Sequence, residues 1–283
     1  MTVRIGTVWD STQQVLAGRA GMMVPFAAIG FVLPGALQLV LAPPVPGQPQ
    51  VGVAAFAVMV VSVLLGIWAQ LAIMALATHP ATTSGEASRA GFRRMWPVLG
   101  VALAIGFVFA LVALVMIVAL GLSHYNFAAA LAANGDPSKM PSMSGGLALF
   151  LLLYGLIVLV GSLWLVARLM LVYAVVLNER RGLGAIRRSV ALTRGLTWRL
   201  IGVFLLFGVV TLVATLAVQS VTGAVFRLML GADQAMTAVR LEALLGSVVS
   251  AGFMTLAYVF IARLYVATAG EQAHREEVGS QSM

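Results

Sequence analysis

Two arginines stand at matching places near the ends of long apolar runs: Arg168 in Ala167-Arg168-Leu169 and Arg263 in Ala262-Arg263-Leu264, with Gln70 in Ala69-Gln70-Leu71 as a neutral counterpart. A guanidinium held at the border of a membrane can fork onto a phosphate through two parallel N–H bonds. Seven of the chain's 17 Lys plus Arg lie between Ala167 and Arg199: Arg168, Arg180, Arg181, Arg187, Arg188, Arg194 and Arg199. Arg168, Arg263, Arg187, Arg188, Arg194 and Arg199 therefore read as a candidate site for an anionic lipid headgroup, with the other arginines of the second and fourth connections, Arg89, Arg93, Arg94, Arg180 and Arg181, around it. The plainer reading is that these side chains only snorkel to the interface and fix topology.

Other chemistry finds little support. His79, His124 and His274 are far apart, and the topology derived below puts His124 on the opposite side from the others, so no shared metal site is expected. The chain has no cysteine, hence no disulfide and no thiolate ligand or nucleophile. No G-x-S-x-G elbow, P-loop or dinucleotide fingerprint occurs. The acidic residues, Glu86 and Glu179 among them, all fall outside the middles of the apolar runs, whereas proton-coupled carriers commonly place a carboxylate or histidine within the membrane. These patterns predict a non-enzymatic protein with no cofactor.

The elements that must position these arginines follow from hydropathy. The chain is 61% hydrophobic and only 9% charged, against roughly 25% charged residues in a soluble domain. Six runs reach the about 20 apolar residues that cross a bilayer: approximately 20–42, 51–77, 96–122, 146–177, 200–225 and 243–268. They are apolar all round, which predicts helices rather than the alternating strands of a membrane barrel. Of the 17 basic residues, 14 fall on one side of such a six-span layout, and Lys139, Arg227 and Arg240 fall on the other. The positive-inside rule then puts both termini in the cytoplasm. With that clustering at helix ends, the net charge of +8 points to anionic lipid rather than nucleic acid.

The first residues contain Arg4, Asp10, Gln13 and Gln14 and do not read as a cleaved signal peptide. Pro25 and Pro34 predict a kink in the first span. Residues 43–50 read as a stiff proline-rich turn and 123–145 as an irregular loop, while 226–242 read as holding a short outer helix.

Similar motifs suggest a threefold repeat. Trp96-x3-Gly100-x5-Gly106 returns as Trp198-x3-Gly202-x5-Gly208, and Ile29-Gly30-Phe31-Val32 as Ile105-Gly106-Phe107-Val108. The predicted architecture is one all-α, six-span domain over 1–283, with repeats of about 1–80, 81–180 and 181–275 and a short tail over 271–283. Each repeat would carry a short interfacial helix, near 8–18, 84–94 and 182–194, followed by a transmembrane hairpin. In the third, Leu183, Ile186 and Val190 would face lipid or neighbouring spans, with Leu192 out of place.

The basic stretch also resembles a known family. Arg168-Leu169, Val175-Val176, Glu179, Gly182, Ala185-Ile186, Arg188-Ser189, Leu192-Thr193, Gly195 and Trp198-Arg199 look like the signature of the glycerophosphoryl diester phosphodiesterase membrane domain family. The resemblance implies a stand-alone bacterial inner-membrane protein of unassigned function. It does not bring the phosphodiesterase, since nothing in the chain could form that soluble barrel. The expected role is to bind, sense or move anionic phospholipid at the cytoplasmic leaflet. The alternative is a small-solute transporter or channel with a cavity between repeats.

Overall fold

The structure is a computed structural model, and it describes residues 3–41, 52–133, 136–231 and 234–281. The proline-rich turn at 43–50 and the Asn134-Gly135 part of the predicted loop lie outside the described residues. Among the described residues, ten α-helices run in order: α1 (Ile5–Ala27), α2 (Leu33–Leu41), α3 (Val53–Thr78), α4 (Ser84–Leu122), α5 (Phe127–Ala132), α6 (Gly145–Leu169), α7 (Val172–Glu179), α8 (Gly184–Leu192), α9 (Thr197–Leu230) and α10 (Ala235–Gln281). No strand occurs among the described residues.

Six stretches are long and apolar enough to cross a membrane: Ile5–Leu41, Val53–Thr78, Ser84–Leu122, Gly145–Glu179, Thr197–Leu230 and Met236–Ala273. Four of the predicted runs lie wholly within them, and the runs 20–42 and 51–77 overlap the first two for all but one or two residues at one end. Large apolar side chains such as Phe107, Leu152, Ile157, Leu206 and Val213 stand exposed along them. In water that much bare apolar surface would be costly, so the chain is a multi-pass membrane protein whose helices present these faces to lipid.

The chain divides into two compact units, Met1–Leu99 with Ala167–Met283, and Gly100–Val166. In the larger unit α10 packs on α1, α2, α3, α7, α8 and α9. Its core is made of Leu71–Ala77 of α3, Val172–Leu177 of α7 and Val259, Phe260, Ala262 and Leu264 of α10. In the smaller unit the Tyr154 hydroxyl on α6 donates to the Val112 carbonyl on α4 at 2.6 Å.

The kink predicted from Pro25 and Pro34 takes the form of a π-helical turn, Ala28–Val32, between α1 and α2. Pro34 has no N–H, so the i→i−4 ladder is interrupted there and the turn widens. Gly30 lies in that turn and is buried against α3. A Cβ on Gly30 would run into Ala69 Cβ and come within 3.1 Å of the Leu65 carbonyl oxygen. This is the close backbone approach that small residues permit between membrane helices.

The predicted interfacial helices need correction. Only the third is a separate helix, α8; residues 8–18 belong to α1, and 84–94 are the first turns of α4. The difference has a local cause. Gly195 sits at φ +85 and ends the α8 region, a conformation that favours glycine. The position equivalent to Gly195 before Trp96 is Arg93, which lies within α4. The face of α8 packed against the protein differs from the one that carries Leu183. Ala185, Ser189 and Leu192 are buried, while Leu183 is 61% exposed. Likewise, 226–242 form no separate helix, because α9 runs to Leu230 and α10 starts at Ala235. The tail from 271 continues α10 to Gln281.

Candidate anion-binding site

The end of the larger unit where α3 stops and α4 starts is built by local rules. Thr83 and Glu86 form a reciprocal capping box: the Thr83 backbone N–H and hydroxyl both donate to Glu86 Oε2 at 2.9 Å, and the Glu86 N–H donates to Thr83 Oγ1 at 3.3 Å. This fixes the start of α4 at Ser84. The α3 C-terminus is closed from outside the helix. Arg19 of α1 donates through Nη1 to the carbonyl oxygens of Leu76 at 2.5 Å and His79 at 3.0 Å, and through Nη2 to those of Pro80 and of Thr82, the latter at 3.0 Å. One guanidinium thus binds a carbonyl in the last turn of α3 and three in the short α3–α4 connection, which it moulds.

That connection forms one wall of an open cavity of about 560 Å³. His79, Ala81 and Thr82 come from the connection, and Glu86, Ala90, Arg93 and Arg94 from α4. Ala75 of α3 and Leu177 of α7 are the buried apolar residues of the lining. Asn178 and Arg180 complete it at the end of α7, where Asn178 Nδ2 donates to the Ala174 carbonyl at 2.8 Å. Arg94 is half-buried, whereas Arg93 and Arg180 are exposed. Among the described residues, none of these three guanidinium groups has an ion-pair partner.

Arg180 has a further distinction. Its φ is +56, the left-handed region that a non-glycine residue adopts at a cost of about 1 kcal/mol. Here it ends α7 and carries the chain towards α8, while its side chain lines the cavity. Such backbone strain commonly accompanies functional positions.

None of the six arginines of the predicted site lines this cavity. Arg168 donates from Nη1 to the Val190 carbonyl on α8 at 3.0 Å. The Arg168 carbonyl in turn accepts from Ser189 Oγ at 2.7 Å. Arg263 donates from Nε to Ser11 Oγ at 2.7 Å and from Nη1 to the Ala77 carbonyl at 3.4 Å. Both arginines therefore act as ties between helices. Arg188 binds Glu179 Oε1 at 3.0 Å and Gln272 Oε1 at 2.6 Å. Arg187 and Arg194 are exposed on α8 and the turn after it. Arg199 lines a second, separate basin with Arg4 and Asp10.

The three arginines that line the cavity, Arg93, Arg94 and Arg180, all stood in the sequence as neighbours of the predicted site and not within it. The Arg93-Arg94 pair at the head of an apolar run was the available signal. No pattern pointed to Arg19, because all its partners are backbone carbonyls.

The residues that carry the family-like signature run from the end of α6 to the start of α9 and include the elbow between α7 and α8. Glu179 pairs with Arg188 at 3.0 Å and with Arg181 at 3.1 Å, and Tyr265 of α10 donates to Glu179 Oε1 at 3.4 Å. Ala185, Ser189, Leu192 and Thr193 are buried. Their placement is explained by packing the elbow onto its neighbours.

A comparison with the curated proteins found no match, and a comparison with the solved structures found none. A domain of unknown function, DUF7847, matches residues 10–268. That range covers nearly the whole chain and all of its membrane-crossing helices in whole or large part, and the chain belongs to the DUF7847 family.

Proposed function

We propose that the protein binds anionic phospholipid on the cytoplasmic side of a bacterial inner membrane, through the cavity lined by Arg93, Arg94 and Arg180. The orientation rests on the distribution of Lys and Arg, with 14 of the 17 on the side that holds this cavity. The observation that carries the reading is the gathering of three guanidinium groups in one concave site with a single carboxylate, Glu86. That carboxylate is itself engaged as a helix cap. A phosphate group would supply the missing counter-charge and accept forked bonds. The lining contains no Phe, Tyr or Trp, so it offers no platform on which a nucleotide base could stack. Its buried apolar residues, Ala75 and Leu177, suit the lipid side of a headgroup. On this reading Arg168 and Arg263 hold the scaffold and do not touch the lipid.

Lipid-dependent thermal stabilisation in detergent tests this. Phosphatidylglycerol should raise the melting temperature of the wild-type protein more than phosphatidylcholine does. In Arg94→Gln that difference should largely vanish. An equal shift for both lipids in the wild-type protein rejects the proposal.

A further inference from the structure

The charge of the cavity specifies more than a generic anion. Resting on the lipid-binding reading above, we infer that the cavity is matched to a phosphomonoester dianion rather than to a phosphodiester.

The lining carries three permanent positive charges, Arg93, Arg94 and Arg180, and one carboxylate, Glu86. Glu86 is not displaceable at low cost, since its Oε2 receives both donors of Thr83. The other acidic residue near this end, Glu179, is occupied by Arg181 and Arg188. Two positive charges therefore remain to be met by the ligand. A phosphodiester headgroup carries one negative charge and leaves one guanidinium unbalanced beside the half-buried Arg94. A phosphomonoester carries close to two at neutral pH and offers three terminal oxygens to three guanidinium groups. The strained Arg180 backbone fits this count, because it brings the third guanidinium to a site that already has two on α4.

The monoester can be a lipid headgroup or a free phosphate compound. Both present the same terminal oxygens, and the test separates them. Wild-type protein in detergent is incubated at about pH 8, where the monoester is a dianion, with phosphatidic acid or phosphatidylmethanol of identical acyl chains. Bound lipid is counted by native mass spectrometry. Inorganic phosphate and glycerol 3-phosphate are then added as soluble competitors.

Phosphatidic acid should be retained about tenfold better than its methyl ester, the size of effect one more charge contributes at close range. Arg180→Gln should reduce that preference, and Arg187→Gln, on exposed α8 surface, should leave it. Displacement by the soluble phosphates supports a free monoester as ligand, and retention in their presence supports the lipid. Equal retention of phosphatidic acid and its methyl ester, both above phosphatidylcholine, overturns the monoester match and leaves anionic lipid binding standing. Retention of neither above phosphatidylcholine overturns both.

Discussion

Arg19 Nη1 donates to the Leu76 carbonyl oxygen at 2.5 Å, joining α1 to the last turn of α3. The same guanidinium holds the carbonyls of His79 and Thr82, each at 3.0 Å, and so sets the shape of the connection that walls the cavity. An arginine that does not itself line the cavity thereby decides where His79 and Thr82 stand.

Removing that cap should be costly. Arg19→Gln is expected to lower stability by about 2 kcal/mol, the scale of hydrogen bonds from a charged donor, as read by chemical or thermal unfolding in detergent. Arg19→Lys should recover only part of the loss, because an ammonium cannot reproduce the planar fork. Full recovery by lysine would show that charge alone matters at this position.

Arg180 predicts opposite effects on stability and binding. Glycine adopts its φ of +56 without the steric penalty. Arg180→Gly should thus stabilise the fold by up to about 1 kcal/mol while weakening anionic-lipid binding. Unfolding midpoints and lipid retention on the same preparation would check both signs. A variant that is less stable and still binds fully would contradict the assignment of Arg180 to the site.

Gly30 and Gly100 give a packing test with an internal control. A methyl group on Gly30 meets Ala69 and the Leu65 carbonyl, whereas one on Gly100 meets nothing within 4 Å. Gly30→Ala should cost about 1–3 kcal/mol through overpacking. Gly100→Ala should be neutral or slightly stabilising, since alanine is the better helix former. Comparable losses in the two variants would remove the case for a close α3 approach at Gly30.

Glu179 and Arg188 should be energetically coupled. Their side chains are only 18% and 26% exposed, at a separation of 3.0 Å. A double-mutant cycle with Glu179→Gln and Arg188→Gln, followed by unfolding, is expected to give an interaction energy of about 1 kcal/mol, above that of a typical surface pair. Additive losses would mean that the elbow is held by the packing of Ala185, Ser189 and Leu192 alone.

The six spans could be read from the sequence because each demands a long apolar run, and that demand comes from the bilayer rather than from any partner in the chain. The kink between Pro25 and Pro34 was legible for a similar reason: a missing N–H acts locally. The candidate site was much less so. Arg168 and Arg263 looked like phosphate ligands, yet their partners are Val190, Ala77 and Ser11, two of them backbone carbonyls that leave no trace in residue identity. The protein-packed face of α8 was not legible because Ser189 and Ala185 are hidden by close packing and hydrogen bonding, not by hydrophobicity. Periodicity of large apolar residues marks Leu183, which is exposed. The threefold pattern failed to predict the helix ends where Gly195 has no glycine counterpart before Trp96.

The most direct test is a count of co-purified phospholipid by native mass spectrometry on two variants. In one, Arg93, Arg94 and Arg180 are replaced by Gln; in the other, the exposed Arg187 and Arg194 are replaced. If the cavity is the lipid site, the first loses its bound anionic lipid while remaining folded, and the second retains the wild-type amount. Retention by the first, or equal loss by both, would contradict the account.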